Sequence, residues 1–118
     1  MDIICHIINI TGHILPIRKI SDMAHAKGVQ VMVDGAHAYG HFRYRIDDLH
    51  CDYYATSLHK WMSVPLGAGF LYVHKDKIAG VWPLLADSQK DPKQIGRLNH
   101  TGTHPCATDL TVEDAVAY

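Results

Sequence analysis

The segment DYYATSLHKW, residues 52–61, decides how the chain is interpreted. Its first half combines aromatic, threonine and alanine residues, which predicts a strand over Asp52–Thr56, and a Pro/Gly turn follows the segment. Lys60 then lies just past the end of a buried strand, beside Leu58 and Trp61. Lost hydration there would disfavour the charged form of Lys60 and leave an amine able to add to carbonyl groups. A surface lysine whose stem covers Trp61 is the alternative interpretation.

An apolar run near the start, residues 3–8, is rich in isoleucine. Such a run predicts a strand that is buried on both faces of a parallel sheet. The turn-forming residues 9–12 (NITG) follow it, which places Asn9 at the carboxyl edge of the strand, where ligands bind in open α/β sheets. An Asx turn that only closes the loop is the alternative role for Asn9.

A helix and a second strand follow this first strand. Pro16 is typical of a helix start, and Lys27-Gly28 is typical of a helix end. The predicted apolar face of the helix consists of Ile17, Ile20, Met23 and Ala24. Residues 29–33 are a second predicted buried strand. Strand, helix and strand form a right-handed βαβ unit, so we predict an α/β fold with an open, mostly parallel sheet and flanking helices.

Asp34 closes this second strand, within VDGAH at residues 33–37. An unpaired carboxylate is costly to bury, so Asp34 would need a cationic partner there. Alternatively, its side chain only caps the following turn. Lys60 lies past the next strand along the chain, so both side chains can meet over one crevice at the carboxyl edge of the sheet.

The second half of the chain contains a further predicted strand and a further predicted helix. Residues 41–51 are predicted to be a loop with a short helical turn, and residues 69–74 a strand, after which a Lys-Asp-Lys run enters solvent. The polar composition of residues 87–99 predicts a mobile or partner-dependent loop. Residues 111–114 (TVED) have the pattern of a capping box that opens a final helix.

With 118 residues, 47% of them hydrophobic, the chain has room for one globular domain. A net charge of −1, with scattered lysines and arginines, gives no reason to expect nucleic acid or an anionic membrane as a partner. No apolar run approaches the ~18 residues of a membrane span, and the start lacks the basic region of a signal peptide. The odd number of cysteines, three, argues against a disulfide framework and favours a reducing, cytoplasmic compartment.

Ten histidines raise the hypothesis of a metal site. The pairs His37 with His41 and His100 with His104 are not accompanied by a His-Glu-x-x-His or Cys-x-x-Cys pattern. We therefore expect no dedicated metal site. A histidine-rich metal protein remains an alternative class, which would contain stoichiometric zinc by elemental analysis.

Four motifs resemble, in order and spacing, those of the class V aminotransferase family of pyridoxal-phosphate enzymes: NITG at 9–12, VDGAH at 33–37, SLHKW at 57–61 and TGT at 101–103. The family includes cysteine desulfurases and isopenicillin N epimerase-like proteins. The resemblance implies the large domain of a fold-type I enzyme. Because members of the family are much longer at both ends, it also implies that residues 1–118 are a partial cofactor-binding domain, without an N-terminal segment and a C-terminal small domain.

The resemblance also implies roles for individual residues around pyridoxal 5'-phosphate. Lys60 would be the catalytic residue, forming a Schiff base (the internal aldimine) and later shuttling the alpha proton of the substrate. Asp34 would hold the protonated pyridine nitrogen, so that the ring draws electrons from the alpha carbon. Asn9 and His37 would hydrogen-bond the phenolic oxygen of the ring; desulfurases usually carry glutamine where His37 stands, and epimerase-like relatives often carry histidine.

Four further residues would hold the cofactor phosphate, again by resemblance. Ser57 and His59 are donors beside the lysine within the same motif. Gly102 and Thr103 would reach across a homodimer interface to the phosphate of the other subunit. The expected partners are therefore an amino-acid substrate and a second copy of the chain.

The Asp-Gly-Ala-His and Thr-Gly-Thr-His-Pro motifs favour an isopenicillin N epimerase-like enzyme that acts on amino acids. A cysteine desulfurase or lyase is the alternative, although none of the three cysteines matches the desulfurase nucleophile by its sequence context. A noncatalytic truncated domain is a further alternative. We expect such a domain to self-associate, because a partial sheet exposes apolar edges and faces.

Overall fold

The computed structural model describes residues 1–85, 91–99, 102–103 and 106–118, and a single sheet lies at its centre. In order across this four-stranded sheet, the strands are β1 (Asp2–Cys5), β2 (Val31–Asp34), β3 (Tyr53–Ser57) and β4 (Gly69–Val73). β2 pairs in parallel with both β1 and β3, whereas β4 is antiparallel to β3. The predicted α/β fold with an open, mostly parallel sheet is confirmed.

Helices of two kinds flank the sheet. The α-helices described are α1 (Ile17–His25) and α2 (Ala107–Ala117), and 3-10 helices cover Ile46–Leu49, Lys75–Gly80 and Ile95–Leu98. The order β1, α1, β2 agrees with the predicted strand–helix–strand unit, and the helical turn predicted within residues 41–51 is the first 3-10 helix. Among the described residues, no helix is long and apolar enough to cross a membrane.

Helix α1 packs on the sheet through a narrower face than predicted. It begins directly after Pro16 and ends shortly before Gly28, whose φ of +70° suits a glycine. Its buried residues are Ile17 and Ser21, whereas Met23 is 58% exposed. The assignment of Met23 to the apolar face is therefore wrong, because the small Ser21 lies in the contact stripe one turn after Ile17.

Strand β1 is shorter and more exposed than its apolar sequence predicts. It ends at Cys5, because the chain then folds back and Ile7 forms an antiparallel bridge with Ile14. The strand lies at an edge of the sheet, and Ile3 is 69% exposed. The prediction of a strand over residues 3–8 that is buried on both faces is wrong, since isoleucine content alone does not distinguish an edge strand from a central one.

Tyr54 occupies the centre of the main core. It is fully buried and belongs to one cluster with Val31, Val33 and Ile17, which joins β3, β2 and α1. Its hydroxyl shares a hydrogen bond with the hydroxyl of Tyr44, so the buried polar group is satisfied. Burial raises the pKa of Tyr54 well above its usual range, and the hydroxyl stays protonated.

A second apolar cluster joins the loop after β3 to helix α2. Leu58, Val64 and Ala68 are buried there, with Val112 and Ala115 of α2 packed against them. The predicted helix start at residues 111–114 is wrong, because α2 begins at Ala107 and Thr111 lies inside it. The Thr111 hydroxyl donates to the carbonyl oxygen of Thr108 (2.7 Å), a local hydrogen bond that a helix-interior threonine makes instead of capping.

The Lys-Asp-Lys run after β4 does not simply enter solvent as predicted. It forms the 3-10 helix Lys75–Gly80, in which Ile78 is buried and Lys77 reaches the carboxylate of Asp52 (3.2 Å). Asp52, nine-tenths buried, also accepts hydrogen bonds from His25 and from the backbone N–H of Val31, each at 2.8 Å. Burial alone would raise the pKa of Asp52, but these donors outweigh it and hold the pKa below its usual value.

The polar loop predicted over residues 87–99 falls partly on residues 86–90, which lie outside the described residues. Within 91–99 the chain forms the 3-10 helix Ile95–Leu98. From this helix the Arg97 guanidinium donates to the carbonyl oxygens of Ile78 and Val81, at 3.2 and 2.7 Å. A charged side chain thus connects this loop to the end of the preceding 3-10 helix.

The three cysteines are free and differ in exposure. Burial raises the pKa of the Cys51 thiol to about 11, whereas Cys5 and Cys106 are exposed. Because the thiolate is the reactive form, we expect iodoacetamide at pH 8 to alkylate Cys5 and Cys106 readily and Cys51 only after denaturation. Peptide mass spectrometry at timed intervals measures this, and equal alkylation rates at Cys51 and Cys5 in the folded protein would contradict it.

Candidate active site

Two chain connections meet at the carboxyl edge of the sheet. We call residues 35–41, after β2, the His37 loop and residues 58–62, after β3, the Lys60 turn. They start side by side because β2 and β3 are parallel neighbours, with Asp34 opposite Ala55. The backbone N–H of Gly35 donates to the carbonyl oxygen of Ala55 (2.8 Å), and the Thr56 hydroxyl donates to that of Gly35 (3.3 Å). Side chains from both connections can therefore reach one another.

Lys60 and His37 are brought into direct contact. The Lys60 amine (Nζ) lies 3.1 Å from the imidazole Nε2 of His37. Two nitrogen bases at this distance form a hydrogen bond when they share one proton between them. The pair can therefore hold or pass a proton at the amine of Lys60.

The loss of hydration predicted for Lys60 is not observed in this chain. Leu58 is 6% exposed and points into the second apolar cluster, while Trp61 is 46% exposed and does not enclose the lysine. The Lys60 side chain is itself exposed. What distinguishes Lys60 here is its contact with His37 rather than its burial.

Asp34 lies at the end of β2 with its carboxylate exposed. The oxygen Oδ1 accepts a hydrogen bond from the backbone N–H of Ala36 (3.0 Å), which is the turn-capping role considered as the alternative. No described residue bonds to Oδ2. The carboxylate therefore caps its own turn and keeps an open oxygen for a cation.

Of the other residues predicted for the site, Ser57 and His59 lie close to Lys60 along the chain, and Asn9 lies in a different turn. Ser57 ends β3 and His59 lies in the Lys60 turn, both half-buried, so they stand in the same connection as Lys60. Asn9 is exposed in a separate turn, in which the N–H of Gly12 donates to the carbonyl oxygen of Ile8 (2.7 Å).

Gly102 and Thr103 are exposed and precede α2. The start of α2 lies near the loop after the Lys60 turn, since the Thr108 hydroxyl is 3.5 Å from the carbonyl oxygen of Leu66. Thr101 of the same motif lies outside the described residues. The role predicted for Gly102 and Thr103, at the phosphate of a second copy of the chain, stays a prediction.

Trp61 and His41 form a ring contact that the sequence did not reveal. Their ring centroids lie 3.7 Å apart, and the ring of His37 approaches Trp61 edge-on at 6.4 Å. In the sequence, the spacing of His37 and His41 indicated only a possible pair of metal ligands. Among the described residues, no group of three or more histidine, cysteine or acidic side chains could hold a metal ion.

Two cavities in the chain lie away from these residues. A cleft of about 1000 Å³ is lined by His25, Asp52 and Lys77, at the opposite edge of the sheet. An apolar groove of about 710 Å³ lies beside α1, lined by residues that include Phe42 and Tyr44. Neither cavity is lined by a residue predicted for the site.

Comparison with known proteins identifies the family of the chain. The family model described as Aminotransferase class-V matches residues 3–115. The chain is 35% identical over 89 residues to isopenicillin N epimerase of Streptomyces clavuligerus, covering 75% of the chain and 22% of that protein. It is 37% identical over 81 residues to a probable cysteine desulfurase of Halalkalibacterium halodurans, covering 69% and 20%.

A solved structure shares the fold. The cysteine desulfurase CsdA of Escherichia coli superposes with a TM-score of 0.82 and 27% identity, covering 98% of the chain and 31% of that protein. The fold and the geometry described above define an α/β domain in which a carboxylate and a lysine follow neighbouring parallel strands. The chain belongs to the class V aminotransferase family, whose members are pyridoxal-phosphate enzymes. It spans about a fifth of the length of the curated relatives it matches.

Proposed function

We propose that this chain carries the lysine-bearing part of a pyridoxal-phosphate site, in an enzyme that acts on amino acids and resembles isopenicillin N epimerase. The contact between Lys60 Nζ and His37 Nε2 at 3.1 Å is the observation that supports this most directly. It brings the proposed catalytic amine and a second proton carrier together beside the carboxyl ends of β2 and β3.

The donor groups fit the cofactor. Asp34 offers an open carboxylate oxygen, which suits a protonated pyridine nitrogen. When bound, pyridoxal phosphate withdraws electrons from the alpha carbon of the substrate. Lys60 would attach the cofactor through its amine and then hold the alpha proton, and His37 would receive or return that proton across their hydrogen bond. Asn9 and His37 would orient the ring by hydrogen bonds to its phenolic oxygen.

The phosphate would be held by two groups of donors. Ser57 and His59 stand in the same connection as Lys60, and a hydroxyl and an imidazole are suitable donors to a phosphate oxygen. Gly102 has a φ of +72° and, with Thr103, would offer backbone and hydroxyl donors to the phosphate in a second copy of the chain. The functional unit would accordingly be a homodimer.

An epimerase-like enzyme, a cysteine desulfurase or lyase, and a noncatalytic domain would give different results in two assays. A cysteine desulfurase or lyase would release sulfide from cysteine, whereas an epimerase-like enzyme would exchange the alpha proton of an amino acid for deuterium in D₂O. A noncatalytic domain would capture the cofactor at most and do neither. The relatives matched include both epimerases and desulfurases, so both activities need to be tested. Proton NMR with a panel of amino acids measures the exchange of the alpha proton, and a sulfide assay measures release of sulfide from cysteine.

Lys60→Ala is expected to abolish specific capture of the cofactor. Incubation of the unaltered chain with pyridoxal phosphate should give a yellow visible absorbance band, and borohydride should fix about one phosphopyridoxyl group per chain onto the peptide that contains Lys60. Lys60→Ala should reduce this labelling to background, because among the lysines that the structure describes Lys60 is the one in contact with His37.

Lys27→Ala is the matched control, since Lys27 is exposed after the end of α1, far from both connections, and should retain full labelling. Peptide mapping by mass spectrometry measures both variants. Labelling spread evenly over the lysines, or undiminished in Lys60→Ala, would overturn the proposed site.

A further inference from the structure

Trp61 connects the His37 loop to the Lys60 turn. Its ring lies against the ring of His41, with centroids 3.7 Å apart and planes tilted by 47°. The His37 ring lies in an edge-to-face arrangement with the same indole, with ring centroids 6.4 Å apart. Trp61 is the residue directly after Lys60, so these contacts act on the backbone that carries the proposed catalytic amine.

The backbones of the two connections are also in close contact. Gly40 has a φ of +89°, and a Cβ placed on it would lie 3.1 Å from both the carbonyl oxygen of Trp61 and the sulfur of Met62. Glycine therefore allows the His37 loop to approach the Lys60 turn closely. Each connection is itself tightly turned: the N–H of Tyr39 donates to the carbonyl oxygen of Gly35 (3.0 Å), and the N–H of Met62 donates to that of Leu58 (3.2 Å). Two compact turns thus meet over a short distance.

We propose that His41 and Trp61 are positioning residues that hold the Lys60 turn against the His37 loop and thereby set the contact of Lys60 Nζ with His37. This inference rests on the proposed function, in which that contact is used. His41 is exposed and Trp61 is about half exposed, so their ring contact adds little to the apolar core. The effect of this ring contact is local, because it fixes the backbone beside Lys60. With the backbone fixed, the long lysine side chain loses less conformational entropy when it reaches His37.

The inference predicts opposite effects on two reactions of Lys60. The hydrogen bond to His37 occupies the amine, so Lys60 should react more slowly than a free lysine with a small reagent that has no binding site. Pyridoxal phosphate, by contrast, should be captured better by a correctly placed amine. Loss of the His41–Trp61 ring contact should therefore speed the reaction of Lys60 with the small reagent and weaken its capture of pyridoxal phosphate. Each effect should be about three- to tenfold, the range an aromatic pair supplies.

Competitive reductive methylation tests the first effect without any cofactor. The chain is treated with trace formaldehyde and cyanoborohydride at pH 7, and the methylation of Lys60 is divided by that of Lys19 and Lys27 in the same molecules. His41→Ala and Trp61→Ala should raise this ratio about three- to tenfold. Trp61→Phe, which keeps an aromatic ring, should restore the original ratio to within about twofold.

Trp82→Phe is the matched control, because Trp82 is 91% exposed and lies outside both connections. Far-ultraviolet circular dichroism checks each variant for folding. If Trp61→Ala fails to fold, His41→Ala decides the question, since His41 is exposed and outside the core. An unchanged methylation ratio in folded His41→Ala overturns the positioning role.

The pyridoxal-phosphate concentration for half-maximal borohydride-trapped labelling of Lys60 tests the second effect. It should rise about three- to tenfold in His41→Ala and stay unchanged in Trp82→Phe. A merely structural role would move both reactions of Lys60 in one direction. If the unaltered chain captures no cofactor, the proposed function fails while the methylation ratio still tests the positioning pair. If the ratio does not change but capture does occur, only the positioning role fails.

Discussion

A methyl group at position 35 is expected to destabilise the chain strongly. A Cβ on Gly35 would lie 1.8 Å from the hydroxyl oxygen of Tyr54 and 1.9 Å from the adjoining ring carbon. Tyr54 is fully buried and its hydroxyl is bonded to Tyr44, so the ring has no free space into which it can move. Expelling a buried aromatic ring costs about 3–5 kcal/mol. Since domains are stable by only about 5–15 kcal/mol, Gly35→Ala should lose a large part of the free energy of unfolding.

Urea denaturation followed by circular dichroism measures the free energy of unfolding of Gly35→Ala. Gly80→Ala is the matched control, because nothing lies within 4 Å of a Cβ at Gly80, and its stability should change by no more than about 0.5 kcal/mol. Tyr54→Leu supplies the second test. If the collision is with Tyr54, Gly35→Ala should cost much less in the Tyr54→Leu background than alone. Equal costs in both backgrounds would contradict this explanation.

The position of the candidate site could be predicted from the sequence because its signals are local. Turn residues after apolar runs place Asp34 and Lys60 at the ends of β2 and β3, and parallel strands bring such ends to one edge of the sheet. The structure adds that His37 lies within hydrogen-bond distance of Lys60. No spacing rule yields that distance, since it depends on how two separate turns pack against each other.

Burial was predicted less well, because burial is a tertiary property. The isoleucines of residues 3–8 predicted a strand buried on both faces, but β1 is an edge strand whose Ile3 is exposed. Lys60 was expected to lose hydration beside Trp61, yet both side chains remain at least partly exposed. Periodicity and composition show which residues can be buried, whereas the neighbours that bury them come from distant parts of the sequence.

The interactions at the opposite edge of the sheet were missed for the same reason. Asp52 was assigned only as the start of a strand, and Lys77 as part of a solvent-exposed run. The structure pairs these two residues and adds His25 from the end of α1. A buried carboxylate requires such partners, but residues from three distant segments supply them, so no local pattern could have identified the set.

Asp52→Asn is therefore expected to destabilise the chain by about 2 kcal/mol at pH 7. Removing one member of a buried ion pair costs about 3–5 kcal/mol, and we place this case lower because the partner side chains of His25 and Lys77 are 39% and 30% exposed and screened by water. Asparagine keeps the shape of the side chain but presents an amide to Lys77. Urea denaturation at several pH values measures the effect.

The pH dependence distinguishes this explanation from a simple packing defect. The folded-state pKa of Asp52 is lowered, so its stabilising contribution is fully present above the unfolded-state pKa of about 3.9 and is lost as the pH falls through the folded-state pKa. The stability difference between the unaltered chain and Asp52→Asn should thus shrink below about pH 4. Asp76→Asn is the control, because the Asp76 side chain is 73% exposed and should cost no more than about 0.5 kcal/mol. A difference that stays constant down to acid pH would show that the charge of Asp52 is not what stabilises this edge of the sheet.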